Sequence, residues 1–333
     1  MQKILIIHTG GTITMQLHTG AGDEPIAGSF DMDVFDHQVP GLQHIAHIDS
    51  LTLFLEDSSN VTPTHWEKLA QCVNEHYEHY DGFVILHGTD TMAWTASALS
   101  FSFQNLGKPV VFTGSQVPLG NRRTDARRNL INAVELATLR LPEVCICFND
   151  KVYRGNRATK ISIGDFDAFA SPNHPLLAEF GLRLTVHSSY RPRTGPFRMV
   201  TGFDTSVRLL TLFPGMDLSS AIPEQPETCR AMIIQAYGSG NLPSGAGHDL
   251  CKCLRRYIRN GGIAVITSQA LYDEVDLDKY AGGRMARDAG AWSAGDMTTE
   301  ATVTKIMYLL AQAHNEPRIR EFFFGNLVGE RTL

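Results

Sequence analysis

Short apolar runs alternate with longer amphipathic segments through the first half of the chain. The apolar runs lie at residues 3–8, 50–55, 82–86, 109–113 and 144–148, and the segments with helical periodicity lie at 64–79, 91–106 and 125–139. Thr62 and Pro63 supply a helix cap and a first-turn proline for the first of these helices. Strands that are apolar throughout, separated by helices, predict a parallel sheet with helices on both faces.

The alternation stops near residue 185 and resumes near residue 207. The intervening stretch includes residues 191–196, RPRTGP, whose prolines and glycine are typical of a linker. Strands are then expected at 207–212, 231–235 and 264–267, and helices at 247–260 and 298–313. We therefore predict an α/β protein with a larger N-terminal catalytic domain at 1–184, a linker at 185–206 and a smaller C-terminal α/β domain at 207–333.

Composition favours a compact globular protein and narrows the choice of partners. Of the 333 residues, 43% are hydrophobic and 19% are charged, which is ordinary for a packed core. The net charge of −6 argues against a protein that binds nucleic acid or an anionic membrane electrostatically. A small-molecule partner is the remaining expectation.

Targeting and cysteine signals point to the cytoplasm. The apolar run after Lys3 is too short for the core of a signal peptide, and turn glycines follow it. Nowhere does the sequence hold about 18 consecutive apolar residues, the length that a membrane-spanning helix needs. The six cysteines lack Cys-x-x-Cys spacing, so we expect reduced, mostly buried thiols rather than disulfides or a metal site.

Hydroxyl and carboxylate side chains follow four successive predicted strands. They lie at residues 8–13, 56–60, 87–91 and 114–116, on short turns that mostly contain glycine. Ligands of parallel sheets bind beyond the carboxyl ends of the strands, so these turns are the candidate site. The glycines at 10 and 11 lack Gly-x-Gly-x-x-Gly and Gly-Lys-Ser/Thr spacing, which argues against a nucleotide, and no Gly-x-Ser-x-Gly elbow occurs.

The turns supply threonines, whose hydroxyls become nucleophiles only when a base removes the proton. Thr89 stands beside Asp90, and Lys160 follows in a polar segment. A lysine that is desolvated in a cleft can act as such a base. Spacing alone leaves a second interpretation open, since threonines at turns are usually helix caps.

Two of these turns resemble the signature motifs of the bacterial-type asparaginase family. They are residues 9–13, TGGTI, and residues 87–92, HGTDTM. Further similar segments follow in order along nearly the whole chain: 57–59 (DSS), 113–116 (TGSQ), 153–157 (YRGNR), Lys160, 166–173 (FDAFASPN) and 295–298 (GDMT). The details are most similar to the cytoplasmic type I members of that family.

The resemblance implies a role for each matching side chain. Thr12 corresponds to the nucleophile that attacks the side-chain amide and forms an acyl-threonine. Thr89, Asp90 and Lys160 correspond to a second catalytic group that transfers protons, and Asp90 also to the residue that holds the substrate ammonium.

The substrate carboxylate and amide have matching positions as well. Ser58, with the backbone around Asp57 and Ser59, corresponds to the residues that bind the carboxylate. Ser115 corresponds to a position whose backbone lies against the amide. No metal or cofactor is implied.

Three features differ from the family pattern. Members usually carry a tyrosine on a loop after the nucleophile, whereas residues 19–25 have none and Asp23 stands near its place. The arginine and cysteine of asparagine-activated type I enzymes correspond to Gln235 and Ala270, so we predict no allosteric site of that kind. Asn241, and less closely Glu274, correspond to residues that some members lend to a neighbouring subunit's site.

The favoured function is that of an L-asparaginase that converts L-asparagine to L-aspartate and ammonia through an acyl-enzyme, as a homodimer or homotetramer. A glutaminase-asparaginase or a related amidohydrolase is the first alternative. An amidotransferase subunit is disfavoured, because the motif begins by residue 9. The second alternative is an amino-acid-binding protein of weak activity, suggested by the missing loop tyrosine.

Overall fold

The computed structural model describes residues 1–16, 26–27, 39–217, 221–245, 250–313 and 315–332. These form two compact units, Met1–Thr201 and Gly202–Leu333. Residues 19–25 contain no tyrosine and include Asp23, and they lie outside the described residues.

The first unit is built on a mixed sheet with a parallel half and an antiparallel half. Within the described residues its strand order is β13-β12-β9-β8-β7-β5-β1-β4. The strands of the unit are β1 (Lys3–Gly10), β2 (Met15–Gln16), β3 (Ile26–Ala27), β4 (His47–Glu56), β5 (Gly82–Leu86), β6 (Phe103–Gln104), β7 (Val110–Thr113), β8 (Val144–Phe148), β9 (Lys151–Arg154), β10 (Thr159–Lys160), β11 (Phe169–Ala170), β12 (Ala178–Phe180), β13 (Leu184–Val186) and β14 (Arg198–Met199).

The parallel half runs from β4 through β1, β5 and β7 to β8. Three helices pack with it: α1 (Pro63–His76), α2 (Met92–Ser102) and α3 (Ala126–Ala137). Ile4, Val84 and Cys145 stand on one face of the sheet and share a core with Ala133 of α3. Each is almost fully buried, which explains why these strands are apolar at every position. The predicted α/β fold with a mostly parallel sheet is confirmed.

The antiparallel half was not expected from the sequence. β8 and β9 form a hairpin in which Phe148 pairs with Lys151. The two turn residues, Asn149 and Asp150, both have positive φ angles, 47° and 65°, as a tight two-residue turn requires. Asn-Asp is a weaker turn signal than Asn-Gly, and the strands that follow are only two to four residues long, so the pattern of apolar positions did not reveal them.

The end of helix α2 also differs from the prediction. Periodicity predicts a helix at 91–106, but the helix ends at Ser102. Phe103 and Gln104 are extended instead, because they pair with Met199 and Arg198 of β14. Tertiary pairing here overrides the local helical pattern.

The division between the units lies inside the predicted linker at 185–206, and its residues up to Thr201 belong to the first unit. Glu143 accepts hydrogen bonds from the Arg191 backbone N–H at 2.6 Å and from Arg154 Nη2 at 2.8 Å. Further along, the Phe197 ring stacks on Tyr77 at 3.8 Å between centroids. These contacts hold the segment against the first unit.

The second unit is a smaller α/β unit. Its strands are β15 (Val207–Thr211), β16 (Ala231–Ala236), β17 (Ile263–Ser268) and β18 (Trp292–Ser293), which pair in parallel in that order. Its helices are α4 (Leu250–Arg259), α5 (Ala281–Ala289), α6 (Thr299–Gln312) and α7 (Glu316–Phe324). Lys305 of α6 is fully buried with Glu330 and donates to the carbonyls of Phe323 and Gly325 at 2.8 and 2.7 Å.

The buried Arg154–Glu143 pair predicts a large stability cost for Arg154→Met. Both side chains are about 95% buried, at 5% and 6% exposure, so the substitution leaves a carboxylate in the interior without its cation. We expect a loss of about 3–5 kcal/mol in the free energy of unfolding, measured by urea denaturation. The control Arg128→Met removes an exposed pair with Asp150 and is expected to cost less than about 1 kcal/mol. Equal losses in the two variants would contradict the prediction.

Candidate active site

Glycines bring the ends of three parallel strands, β1, β4 and β5, into close contact. Gly10 and Gly11, at the end of β1, have φ angles of 109° and 89°, which side chains rarely tolerate. A Cβ on Gly11 would stand 2.5 Å from the backbone nitrogen of Gly88, at the end of β5, and one on Gly88 would stand 2.6 Å from the Ser58 side chain. The segments that carry Thr12, Ser58 and Thr89 therefore meet at one edge of the sheet.

Threonine hydroxyls fasten these turns to one another. Thr9 Oγ1 donates to the Leu86 carbonyl at 2.7 Å, and Thr91 Oγ1 donates to the Ser58 carbonyl at 2.6 Å. Ser58 is 5% exposed and begins a short 3-10 turn. The Asp57 carboxylate caps that turn by accepting from the Ser59 backbone N–H at 2.8 Å and from Ser59 Oγ at 2.7 Å. These two hydrogen bonds lower the pKa of Asp57.

Lys160 joins the two polar residues of the β5 turn. Its Nζ donates to Thr89 Oγ1 at 2.8 Å and to Asp90 Oδ1 at 2.5 Å. The Lys160 side chain is 16% exposed, whereas the Asp90 side chain is 64% exposed. Strand β10, which ends at Lys160, pairs with β11 and delivers the amino group to a turn 70 residues earlier in the chain. An amine, a hydroxyl and a carboxylate thus lie within one hydrogen-bonded group.

Gln116 and Asp125, for which the sequence alone predicts no role, support this group. Thr89 Oγ1 donates to Gln116 Oε1 at 3.2 Å. The buried Asp125 carboxylate accepts from the backbone N–H groups of Gln116 and Val117 and from Asn129 Nδ2. Asp125 opens α3, where the sequence pattern suggests only a helix start. Its carboxylate instead fixes the turn after β7.

A buried histidine holds the backbone that leads into Thr89. His87 Nδ1 lies 2.8 Å from the Gly88 carbonyl, and Nε2 lies 3.0 Å from Thr95 Oγ1. Trp66 Nε1 donates to the same threonine oxygen at 3.1 Å. Because a carbonyl only accepts, Nδ1 carries the proton. Burial lowers the pKa of His87 to about 4, so the ring is neutral near pH 7 and Nε2 accepts from Thr95 Oγ1. Burial lowers the pKa of His8 to about 4 as well.

The remaining candidate residues fall in two places. Thr12 is half-buried in a 3-10 turn directly after Gly11, and Ser115 is buried directly after β7. Asn241 lies in the second unit, where its backbone pairs with Tyr237. Glu274 is exposed in the same unit. Their roles in a neighbouring subunit's site stay predictions.

Gln235, which corresponds to the activator-binding arginine, is engaged within the second unit. Its Oε1 accepts from Thr211 Oγ1 at 2.6 Å, and its Nε2 donates to Thr299 Oγ1 at 2.9 Å. Ala270 follows β17 and has no functional group in its side chain. The prediction that asparagine does not activate this chain remains open to kinetic test.

Three structure-wide observations concern cofactors, membranes and thiols. Among the described residues, no group of three or more His, Cys, Asp or Glu side chains is arranged to hold a metal ion. In the same part of the chain, no helix is both long and apolar enough to cross a membrane. Cys72, Cys145, Cys147, Cys229 and Cys253 are free and buried.

Comparison with known proteins gives matches along nearly the whole chain. The family described as "Asparaginase, N-terminal" matches residues 3–192, and the "Glutaminase/Asparaginase C-terminal domain" matches residues 206–323. The chain is 38% identical to L-asparaginase 1 of Escherichia coli strain K12, over 100% of this chain and 99% of that protein.

Two solved structures share both fold and sequence with the chain. L-asparaginase I from Vibrio cholerae O1 biovar eltor has a TM-score of 0.88 at 36% identity, with 100% of this chain and 99% of that one covered. The thermostable L-asparaginase from Thermococcus kodakarensis has a TM-score of 0.90 at 33% identity, with 99% of each chain covered.

The low pKa of His87 predicts that stability falls with acid. The folded pKa of about 4 lies below the ordinary histidine value of 6.5, so the folded state binds fewer protons than the unfolded state between these values. Its contribution is complete above pH 6.5 and is lost as pH falls toward 4, by about 2 kcal/mol between pH 7 and 5.

The measurement is the free energy of unfolding at both pH values. His87→Gln should reduce the dependence without abolishing it, because His8 has the same lowered pKa and keeps its own contribution. His79→Gln, at an exposed position, should leave the dependence unchanged. The same slope in wild type and His87→Gln would refute the assignment.

Proposed function

The chain belongs to the asparaginase family, as its motifs predict, and we propose that it hydrolyses the side-chain amide of L-asparagine to give L-aspartate and ammonia. Members of this family are amidohydrolases. The observation that carries the proposal is the group in which Lys160 Nζ donates to both Thr89 Oγ1 and Asp90 Oδ1. That group lies on the turn whose Gly88 touches Gly11, the residue before Thr12.

Thr12 acts as the nucleophile in the proposed first step. Its Oγ1 attacks the side-chain amide carbon, the hydroxyl proton passes to a base, and the amide nitrogen leaves as ammonia after it gains a proton. Backbone N–H groups at the glycine turn stabilise the negative oxygen of the tetrahedral intermediate. Water then cleaves the acyl-threonine and regenerates the hydroxyl, which releases aspartate.

Thr89, Lys160 and Asp90 carry protons in these steps. A hydroxyl both accepts and donates a hydrogen bond, so Thr89 can pass a proton between a reacting group and Lys160. The Asp90 carboxylate balances the ammonium charge of Lys160 at 2.5 Å. Because most of the Asp90 side chain is exposed, it also remains accessible to the α-ammonium of the substrate.

We propose that the substrate carboxylate binds at the turn formed by Asp57, Ser58 and Ser59. The Asp57 side chain is committed to the Ser59 backbone and hydroxyl, which fixes the short turn that presents Ser58. A hydroxyl and backbone N–H groups are suitable donors for a carboxylate. Ser115 places its backbone against the amide at the opposite end of the substrate.

The proposal also includes contacts between subunits. We propose a cytoplasmic homodimer or homotetramer in which Asn241 of one subunit contributes to substrate binding at another. The reaction as written balances without a metal or cofactor.

Replacing the nucleophile tests the central assignment. Thr12→Ala removes the attacking oxygen, so we expect ammonia release from L-asparagine to fall by at least about 10³-fold. Thr12→Ser retains a hydroxyl and should keep measurable activity. Thr185→Ala, at an exposed position in β13, serves as the control with wild-type turnover. Wild-type turnover by Thr12→Ala would exclude Thr12 as the nucleophile.

Removing one donor to the substrate carboxylate should separate binding from chemistry. Ser58→Ala keeps the Cβ that packs against Gly88 but loses a hydrogen bond to a charged group. A loss of about 1.5 kcal/mol or more predicts a rise in KM of about tenfold or more, with kcat changed little. Steady-state kinetics give both constants, and an unchanged KM would place the carboxylate elsewhere.

Two further measurements separate the alternatives. Rates with L-asparagine, L-glutamine and D-asparagine establish the substrate preference, because one methylene alters binding by only about 1–3 kcal/mol. Titration calorimetry with L-asparagine detects binding. Tight binding without ammonia release would support an amino-acid-binding protein instead of an enzyme.

A further inference from the structure

Gln116 links the Thr89 hydroxyl to the loop that follows Lys160. Its Oε1 accepts from Thr89 Oγ1 at 3.2 Å, and its Nε2 lies 3.2 Å from the Asp165 carbonyl and 3.4 Å from the Ser162 carbonyl. The loop is closed by hydrogen bonds of its own, since Ser162 Oγ accepts from the backbone N–H groups of Gly164 and Asp165. A single amide therefore contacts the Thr89 hydroxyl on one side and, on the other, two carbonyls of the loop that follows Lys160.

The orientation of this amide follows from its neighbours. The two loop carbonyls can only accept, so the nitrogen of the Gln116 side chain must face them. The oxygen then faces Thr89, and it can only accept as well. Flipping the amide would set oxygen against two carbonyls and break the contact with the hydroxyl.

The backbone of Gln116 is also held in place by hydrogen bonds. The Asp125 carboxylate accepts its N–H at 3.0 Å, and the same carboxylate accepts from Val117 at 3.1 Å and from Asn129 Nδ2 at 3.0 Å. The side chain therefore extends from a fixed turn, which limits the positions that its amide can take.

These contacts set the direction of the Thr89 proton. The hydroxyl has one proton and two lone pairs. Lys160 Nζ donates to one lone pair at 2.8 Å, and the proton is directed at Gln116 Oε1. Gln116 is neutral and cannot keep a proton, so it orients the hydroxyl without competing with Lys160 for the transferred proton.

We propose that Gln116 is a positioning residue for catalysis: by accepting the Thr89 proton in a hydrogen bond, it keeps a lone pair of the Thr89 oxygen directed at Lys160 Nζ. This inference rests on the proposed function, because it requires that Thr89 transfers protons. Gln116 acts through Thr89, so its removal should slow the chemical step and leave ground-state binding of L-asparagine nearly unchanged.

A double-mutant cycle with Thr89→Val tests the proposal. We expect Gln116→Met to lower kcat by about 10- to 100-fold, as small displacements of catalytic groups do, with KM within about threefold of wild type. The double variant Gln116→Met/Thr89→Val should match Thr89→Val alone within about threefold, because an aligned hydroxyl no longer exists. Gln71→Met, at an exposed position of α1 where the amide donates only to Glu75, is the matched control with wild-type kinetics.

A second variant keeps the proposal testable if Gln116→Met folds poorly. Gln116→Glu has nearly the same shape, but its carboxylate repels the two loop carbonyls. The protonated acid restores one donor to that side, so kcat relative to wild type should rise as pH falls from about 8 to about 5. A purely structural role of the side chain would give a loss that adds to that of Thr89→Val.

The outcomes distinguish the two proposals. If Thr89→Val is strongly impaired while Gln116→Met has wild-type kcat, Gln116 is no positioning residue and the proposed function stands. Additive losses in the double variant likewise overturn the role through Thr89. If Thr89→Val itself has wild-type turnover, the proposed function of Thr89 fails, and the inference about Gln116 fails with it.

Discussion

The close approach of two backbones at Gly11 and Gly88 is the constraint on which the site depends. Neither turn has space for a Cβ there, because Gly88 meets both Gly11 and the side chain of Ser58. Parallel strands end at the same edge of a sheet, but this brings loops only into the same neighbourhood. The glycine contact is what brings two of these turns against each other, with Thr12 following Gly11 and Thr89 following Gly88. The remaining interactions refine an arrangement that the backbone has already set.

Buried side chains hold the turns around this contact by hydrogen bonds to their backbones. Asp125 holds the turn of Gln116, and His87 holds the carbonyl of Gly88. Neither needs to touch a substrate to matter, since each fixes the backbone of a turn that carries a residue of the proposed site. Gln116 differs from both because it contacts the Thr89 hydroxyl directly. The network therefore runs from the fixed backbones of Gln116 and Gly88 to the Thr89 hydroxyl, and from that hydroxyl to the Lys160 amino group.

The sequence revealed the parallel half of the fold and the motifs, but not the details that join them. Continuous apolar runs such as 82–86 are read reliably, because strands buried on both faces have no alternative pattern. The β8–β9 hairpin was missed, because Asn149 and Asp150 adopt positive φ angles that their identities only weakly favour. The contact between Lys160 and Thr89 joins residues 71 positions apart, so no local pattern contains it. The chemistry of a desolvated lysine makes Lys160 a candidate, and the resemblance to a family supports it. Gln116 was visible within a motif, but its role depends on carbonyl positions that only coordinates provide.

The chain of hydrogen bonds from Trp66 through Thr95 to His87 gives the site an optical label of its own. Indole fluorescence is sensitive to the partner of its N–H group, and Trp66 donates to the same oxygen that serves the His87 ring. A rearrangement of the turn at Gly88 that moves the His87 ring changes its contact with that shared oxygen. In a variant that keeps Trp66 as its single tryptophan, with Trp94 and Trp292 replaced, motion beside Thr89 can be followed by indole emission on the timescale of stopped-flow mixing.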